Sequence, residues 1–281
     1  MGRLLHLSDL HFGRARPGLA EALVDIARDL RPDVTVISGD LTQRARDAEF
    51  AEAAALIAKL PGPVICVPGN HDLPLHNPLA RLFRPLAGWH CFLGLESEPR
   101  ATVAGLCVIG MDTADPFAWQ RGRVRRASLE RACADLRAAP AGTLRVVAMH
   151  HPLDTPAASG KTPMTGARRA SEALASAGAD VILCGHLHNW AAAPHALREG
   201  GRRMLCVQAG TTLSTRLRGE ENDFNVIDHE AGLVRVTRFV SGGDSTRFAS
   251  GGDSTRFSED SVTLFRQSDL AAGWDHGGPG L

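Results

Sequence analysis

Five apolar runs, each ending on a loop rich in Asp, His or Asn, restrict this chain more than any other feature. Leu4-Leu5-His6-Leu7 leads into Ser8-Asp9-Leu10-His11, and Val34-Thr35-Val36-Ile37 leads into Gly39-Asp40. Val64-Ile65-Cys66-Val67-Pro68 leads into Gly69-Asn70-His71-Asp72, Val146-Val147-Ala148-Met149 into His150-His151, and Val181-Ile182-Leu183-Cys184 into Gly185-His186-Leu187-His188. Short apolar runs alternating with helical patterns read as the buried strands of an α/β sheet. Ligands of such sheets bind beyond the carboxyl ends of the strands. Five loops are therefore expected to converge on one site.

The intervening segments supply the helices. Leu19, Leu23, Ile26 and Leu30 recur at helical spacing behind Pro17, and Pro32 closes the run; Phe50, Ala53, Ala54, Ile57 and Leu60 mark a second helix before Pro61-Gly62-Pro63. Pro74, Pro78 and Pro85 punctuate a segment through Leu95 that holds a short helix at Leu79 to Phe83 and is assigned to the pocket wall. Ala101 to Ala104 and Leu106 to Met111 meet at Gly105 as a hairpin. Ser128 is expected to N-cap a helix carrying Leu129, Cys133 and Leu136, and a further helix runs from about Ala167 to Ala177, stopped by Gly178.

From Arg202 onward strands follow one another without helices: Met204 to Gln208, Phe224 to Asp228, and Leu233 to Val240. This suggests a second sheet packed on the first. The unit Ser241 to Ala249 then recurs as Ser250 to Ser258 with the same first eight residues. Two copies are too few for a solenoid, so the repeat reads as a duplicated surface loop. The expected organisation is one α/β domain over residues 1–240 and a C-terminal extension over 241–281 that ends in a mobile Gly-rich tail.

Lys and Arg together number 31, matching 31 Asp and Glu, which counts against a dominant nucleic-acid or membrane footprint. The 6 cysteines show no CxxC spacing and lie mostly in apolar runs (Cys66, Cys107, Cys184 and Cys206 in strands, Cys133 on a helix). Free buried thiols in a reducing compartment are the simplest reading. No run approaches the ~20 apolar residues of a transmembrane helix, so the expectation is a cytoplasmic protein with no membrane partner. Its oligomeric state is left open, a homo-oligomer included.

Asp9, His11, Asp40, Asn70, His150, His186 and His188 combine carboxylate, imidazole and amide donors without a cysteine. That set suits Mn, Fe, Co or Zn rather than soft metals. It is too large for one tetrahedral ion. Two divalent ions sharing a carboxylate, about 3.5–4 Å apart, would use all of it.

The ordered motifs D-x-H, G-D, G-N-H-[DE], H and G-H-x-H make the chain resemble the calcineurin-like metallophosphoesterases over roughly residues 3 to 240. The resemblance implies a two-sheet α/β/β/α sandwich. It further implies that Asp9, His11 and His188 hold one metal, that Asn70, His150 and His186 hold the other, and that Asp40 bridges them. A hydroxide shared by two cations is deprotonated near neutral pH, and the same cations stabilise charge on the phosphoryl oxygens. His71 is then the natural proton donor to the leaving oxygen or a clamp on the phosphate, with Asp72 placed to orient it. His76 and Asn77 are the candidates for substrate contact. His151 is a neighbour of the ligands, His6 a packed strand residue, and His90, His195, His229 and His276 surface residues. Arg216 and Arg218 sit in a polar turn from which they could meet an anion.

Protein phosphatases of this superfamily are expected to continue G-D with a V-D-R-G-like stretch and to end G-N-H with Glu. Here Asp40 is followed by Leu41-Thr42-Gln43 and the fourth residue is Asp72. Both departures make the chain similar to the class III cyclic-nucleotide phosphodiesterases and imply a cyclic nucleotide or another small phosphodiester as substrate. A DNA-repair nuclease of the same superfamily is the alternative, with Arg121, Arg123, Arg125 and Arg126 as its one basic cluster. A binding scaffold that has lost its chemistry is a third reading, and the complete ligand set argues against it.

Overall fold

A computed structural model describes residues 1–156, 159–195, 203–242, 256–269 and 273–276, with backbone alone from 267 onward. Side-chain parity along the strands explains its layering. In β1 (Gly2–Leu7), Leu5 and Leu7 face Leu19, Leu23 and Ala27 of α1 (Leu19–Leu30) and Phe50, Ala53 and Leu56 of α2 (Asp47–Ile57). Leu4 faces the other way, into an apolar layer with Val34 and Val36 of β2 (Val34–Ile37) and Ile65 of β3 (Val64–Cys66).

That layer is shared with a second sheet. Val108 of β5 (Leu106–Gly110), Val146 of β6 (Leu144–Ala148), Leu183 of β7 (Val181–Cys184) and Val207 of β9 (Met204–Gln208) enter it from the other side. Residues of opposite parity, such as Val147 and Ile182, pack on α4 (Arg126–Ala138) and α5 (Ala167–Ala177). The result is helix, sheet, sheet, helix, the expected α/β/β/α sandwich. Strands buried on both faces read as continuous apolar runs, which is why these five were visible in the sequence.

The first sheet runs β13-β12-β11-β10-β1-β2-β3. β1, β2 and β3 are parallel, whereas β10 (Asp223–Glu230) pairs antiparallel with β1 and is extended by β11 (Leu233–Ser241), β12 (Phe257–Asp269) and β13 (Gly273–His276). The second sheet runs β4-β5-β6-β7-β9-β8, with β4 (Arg100–Val103) and β8 (Ala191–His195) as antiparallel edges. The late strands therefore do not build a sheet of their own. β9 completes the parallel half of the second sheet, and β10 to β12 return to widen the first. The hairpin at Gly105 and the helix ending at Gly178 (φ 94°) stand where expected.

Four other expectations are corrected. The boundary after residue 240 falls inside the sheet, because β12 pairs with β11 from Leu233↔Arg266 to Ser241↔Phe257 and Phe265 is fully buried. Residues 243–255 of the repeat and 277–281 of the tail lie outside the described residues, and Gly273–His276 of that tail is strand. α4 begins at Arg126, so Ser128 is buried within the helix and its hydroxyl donates to the Glu98 carboxylate instead of capping. The segment beyond Asp72 covers α2 rather than walling the site: after α3 (Pro78–Phe83), fully buried Trp89 joins the Phe50 core, and a Cβ on Gly88 would lie 2.6 Å from the Phe50 ring. Among the described residues no helix is long and apolar enough to cross a membrane.

Candidate metal centre

The loops leaving β1, β2, β3, β6 and β7 meet where the carboxyl ends of the two sheets adjoin. Asp9 Oδ1 lies 3.1 Å from His188 Nε2 and 3.5 Å from His11 Nε2, and those two imidazole nitrogens are 3.2 Å apart. Asp40 Oδ2 lies 3.3 Å from His150 Nε2 and 3.7 Å from His11 Nε2, while His150 Nε2 is 3.3 Å from His186 Nδ1. Asn70 sits between Gly69 and His71, and the His71 N–H donates to Asp40 Oδ1 at 2.8 Å. All seven candidate ligands from the sequence are buried.

The local backbone is arranged for this convergence. Asp9, His11, Asp40, His186 and His188 all adopt positive φ, between 49° and 71°. Such conformations cost a non-glycine residue about 1–3 kcal/mol each and persist where the surroundings over-determine them. The motif glycines have a second reason to be glycine: a Cβ on Gly69 would lie 2.1 Å from Asp40 Oδ1, and one on Gly185 would lie 1.9 Å from Ser8 Oγ and 2.3 Å from Asp9 Oδ2. Either methyl would displace a candidate ligand carboxylate.

Charge and hydrogen bonding point to cations here. Asp9 and Asp40 are buried carboxylates, and among the described residues neither forms an ion pair with Lys or Arg. Burying a charge without a counter-charge is strongly unfavourable. Against burial, which raises it, His188, His11 and His150 hold the Asp9 carboxyl well below the usual range; His150, His71 and His11 do the same for Asp40. Burial would depress the His150 imidazole, but Asp40 and Asp9 drive it up to about 9. Asp9 Oδ1 and Asn70 Oδ1 are buried without a hydrogen-bond partner among the described residues. Asp9 Oδ1 beside the His11 and His188 nitrogens, together with the orphaned Asn70 oxygen, forms a donor set that fits divalent metal ions.

Second contacts lock the donors. Ser8 Oγ and the His186 N–H both donate to Asp9 Oδ2, so Oδ1 is the oxygen turned toward the histidines. His150 Nδ1 faces the Ser38 carbonyl at 2.9 Å, and His188 Nδ1 faces the Arg216 carbonyl at 3.1 Å, leaving each Nε2 for the centre. The stretch Thr211 to Arg216, a mere polar turn in the sequence, is the latch of the site: Thr211 Oγ1 donates to the Asp9 carbonyl, and the Thr212 N–H to that of Ser8. Composition alone carries no sign of this role. The Lys161 ammonium, also missed, donates to the His186 carbonyl, and burial lowers it to about 8 although Asp9 opposes the shift.

The remaining candidates divide. The His71 ring packs edge-on to that of His11, with centroids 4.8 Å apart. Its Nδ1 faces the Gln43 carbonyl at 2.8 Å and its Nε2 faces Arg216 Nη1 at 3.3 Å. Asp72 does not orient it, contrary to expectation: its carboxylate accepts from the N–H groups of Gly69, Leu41 and Thr42 and from the Thr42 hydroxyl. Burial and the neighbouring Asp40 raise its carboxyl to about 7. Asn77 caps α3 through Oδ1 to the Ala80 N–H at 2.9 Å, and His76 is exposed, so neither lines the cavity beside His71. His151 packs on His186 with both nitrogens engaged, by the Thr113 hydroxyl and the Gln120 carbonyl, and burial, then His150, depresses it to about 3. His6 is fully buried, His90 exposed, and His195 and His229 half-buried; the His276 side chain lies outside the described residues.

Fold and donor set together define a protein of the metallophosphoesterase type. The chain belongs to the calcineurin-like phosphoesterase family, whose model matches residues 2–190. It is 29% identical over 207 residues to a probable cyclic nucleotide phosphodiesterase of Rhodococcus erythropolis, a match covering 66% of this chain and 64% of that protein. It is also 29% identical over 208 residues to a cAMP/cGMP dual specificity phosphodiesterase of Mycobacterium tuberculosis, covering 66% and 61%. The chain thus spans somewhat under two thirds of the length of these relatives. Among solved structures, a purple acid phosphatase of yellow lupin shares the fold, with a TM-score of 0.62 and 12% identity over 84% of this chain and 51% of that one.

Proposed function

We infer that the chain is a metal-dependent phosphodiesterase with a dinuclear centre, acting on cyclic nucleotides or other small phosphodiesters in a reducing, cytoplasmic compartment. The observation that carries the dinuclear reading is Asp40, whose single oxygen Oδ2 is approached by His11 from one histidine cluster and by His150 from the other. Asp9, His11 and His188 would hold one divalent ion, Asn70, His150 and His186 the second, and Asp40 both; Mn, Fe, Co and Zn all suit these donors. Such ions acidify water to near neutrality and offset charge on phosphoryl oxygens. The names of the relatives support the substrate class, and the six free thiols support the compartment.

The chain's own residues supply positioning and the proton. Gln43 accepts from Nδ1–H of His71, which leaves Nε2 turned toward Arg216 and the space a leaving oxygen would enter. Once Arg216 turns to the substrate, a proton taken up at Nε2 makes His71 the general acid. The nuclease alternative is weakened, because three of the four arginines in its basic cluster are paired, Arg123 with Asp115, Arg125 with Asp112 and Arg126 with Glu130, which leaves Arg121. Elemental analysis after metal loading tests the centre: two ions per chain are expected, both lost in Asp40→Ala and chiefly one lost in His188→Ala. One ion per wild-type chain at saturation would remove the dinuclear reading. Turnover of single-stranded DNA above that of a cyclic nucleotide would restore the nuclease.

A further inference from the structure

Beside His71 the surface opens into a cavity of about 780 Å³ whose walls carry Arg14, Arg44, Arg46 and Arg216, with Gln43 and a single carboxylate, Glu49. That carboxylate is already engaged, since Glu49 Oε2 accepts from the N–H groups of Arg44 at 2.7 Å and Arg46 at 3.3 Å. Arg16, Arg123, Arg125 and Arg126 each have an acidic partner, whereas among the described residues none of the four cavity arginines forms an ion pair. Four arginines thus line one concavity against a single carboxylate, with no ion pair formed among the described residues.

Their backbones are fixed to the metal-centre loops. The Arg14 N–H donates to the His11 carbonyl, the Thr215 N–H donates to the Arg14 carbonyl, and the Arg216 carbonyl accepts from His188 Nδ1. Thr42 Oγ1 accepts from the Ala45 N–H, in a turn where Ala45 holds φ 53° between Arg44 and Arg46. The cluster is therefore built into the site rather than scattered over a surface. His71 belongs to both spaces, lining the cavity and packing on His11.

A diester held by the ions brings one negative charge and leaves these arginines unmatched. Guanidinium groups pair with phosphoryl oxygens two at a time. We propose that this cavity is a subsite for a second, non-scissile phosphoryl group, so that the preferred substrate is a small phosphodiester bearing a terminal phosphate rather than a cyclic mononucleotide. The assignment rests on the phosphodiesterase reading above and narrows its substrate class.

The test compares kcat/KM of metal-loaded protein on a dinucleoside monophosphate and on the same compound carrying a 5′-terminal phosphate. The phosphorylated form is expected to be favoured about tenfold or more, mainly through KM, with that ratio falling toward one in Arg14→Gln/Arg44→Gln. Equal values in the wild type, or an unchanged ratio in the variant, would overturn the proposal. A kcat/KM that keeps rising with each nucleotide added in an oligonucleotide series would overturn it in favour of a nucleic-acid strand. A second measurement does not depend on turnover: calorimetric binding of inorganic triphosphate to metal-stripped wild-type protein, lost in the double variant. If no diester is hydrolysed yet triphosphate binds in this way, the phosphodiesterase reading fails and the anion subsite stands; no binding to the stripped wild type overturns the subsite.

Discussion

His71 is set between an obligate acceptor, the Gln43 carbonyl, and an obligate donor, the Arg216 guanidinium. Because neither hydrogen bond involves a proposed ligand, and the ring only packs edge-on against that of His11, removing it should leave the metals bound. His71→Ala is expected to slow hydrolysis of alkyl or nucleotide diesters by about 10²–10⁴-fold, the usual worth of general acid catalysis, and that of an activated nitrophenyl diester far less. Equal losses on matched substrates, with metal content verified, would make His71 a phosphate clamp. Asp72→Asn belongs to a different class of effect. Four donors converge on that carboxylate, and an amide presents an N–H₂ to one pair of them, so the expected loss is about 1–3 kcal/mol of stability seen in denaturant melts. A melt like the wild type's, with a leaving-group profile like that of His71→Ala, would return Asp72 to the catalytic group.

At the scale of elements, the antiparallel wing of the first sheet holds the two described ends of the tandem repeat, Ser241 in β11 and Phe257 in β12. Phe257, near the end of the second copy, is buried against Phe224 at a ring separation of 5.0 Å and pairs in register with Ser241. Phe257→Ala should therefore cost about 3 kcal/mol, the usual penalty for emptying a buried aromatic site. Deleting residues 250–258 should be close to neutral, because it places Phe248 at the same distance from Glu259 that Phe257 now has, and closure entropy changes slowly with loop length. A deletion as damaging as the point substitution, measured by thermal melt, would show that the repeat itself does structural work. The same wing was misjudged from the sequence. β10 and β11 read as strands, but nothing in their alternation says that β10 pairs with β1, some 220 residues earlier.

At the scale of the whole molecule, His6 is a buried polar tie on the face of β1 that looks toward the second sheet, with Nε2 at 2.9 Å from Ser38 Oγ and Nδ1 at 3.4 Å from Asn225 Nδ2. Burial holds its imidazole neutral and lowers it to about 3. The unfolded chain would protonate it near 6.5, so its contribution is intact above that pH and is lost as the pH falls toward 3. Between pH 7 and pH 5 the expected loss is about 2 kcal/mol. Urea melts of wild type and His6→Gln at both pH values check this, with a smaller decline in the variant expected and parallel declines counting against it. The five strand ends that carry the candidate ligands were legible because strands buried on both faces leave unbroken apolar runs, and clusters of Asp, His and Asn at their ends then stand out. Asp9, His11, Asp40, Asn70, His150, His186 and His188 could accordingly be named as candidate ligands from their donor types and their places at these strand ends. Which groups stand behind them could not. The Thr211 to Arg216 latch, the Gln43 acceptor of His71, the engagement of Asp72 by Leu41 and Thr42, and the grouping around one cavity of arginines that form no ion pair among the described residues all depend on contacts between segments remote in sequence. Such pairings carry no local periodicity, and only the packing of the two sheets brings them within hydrogen-bonding reach.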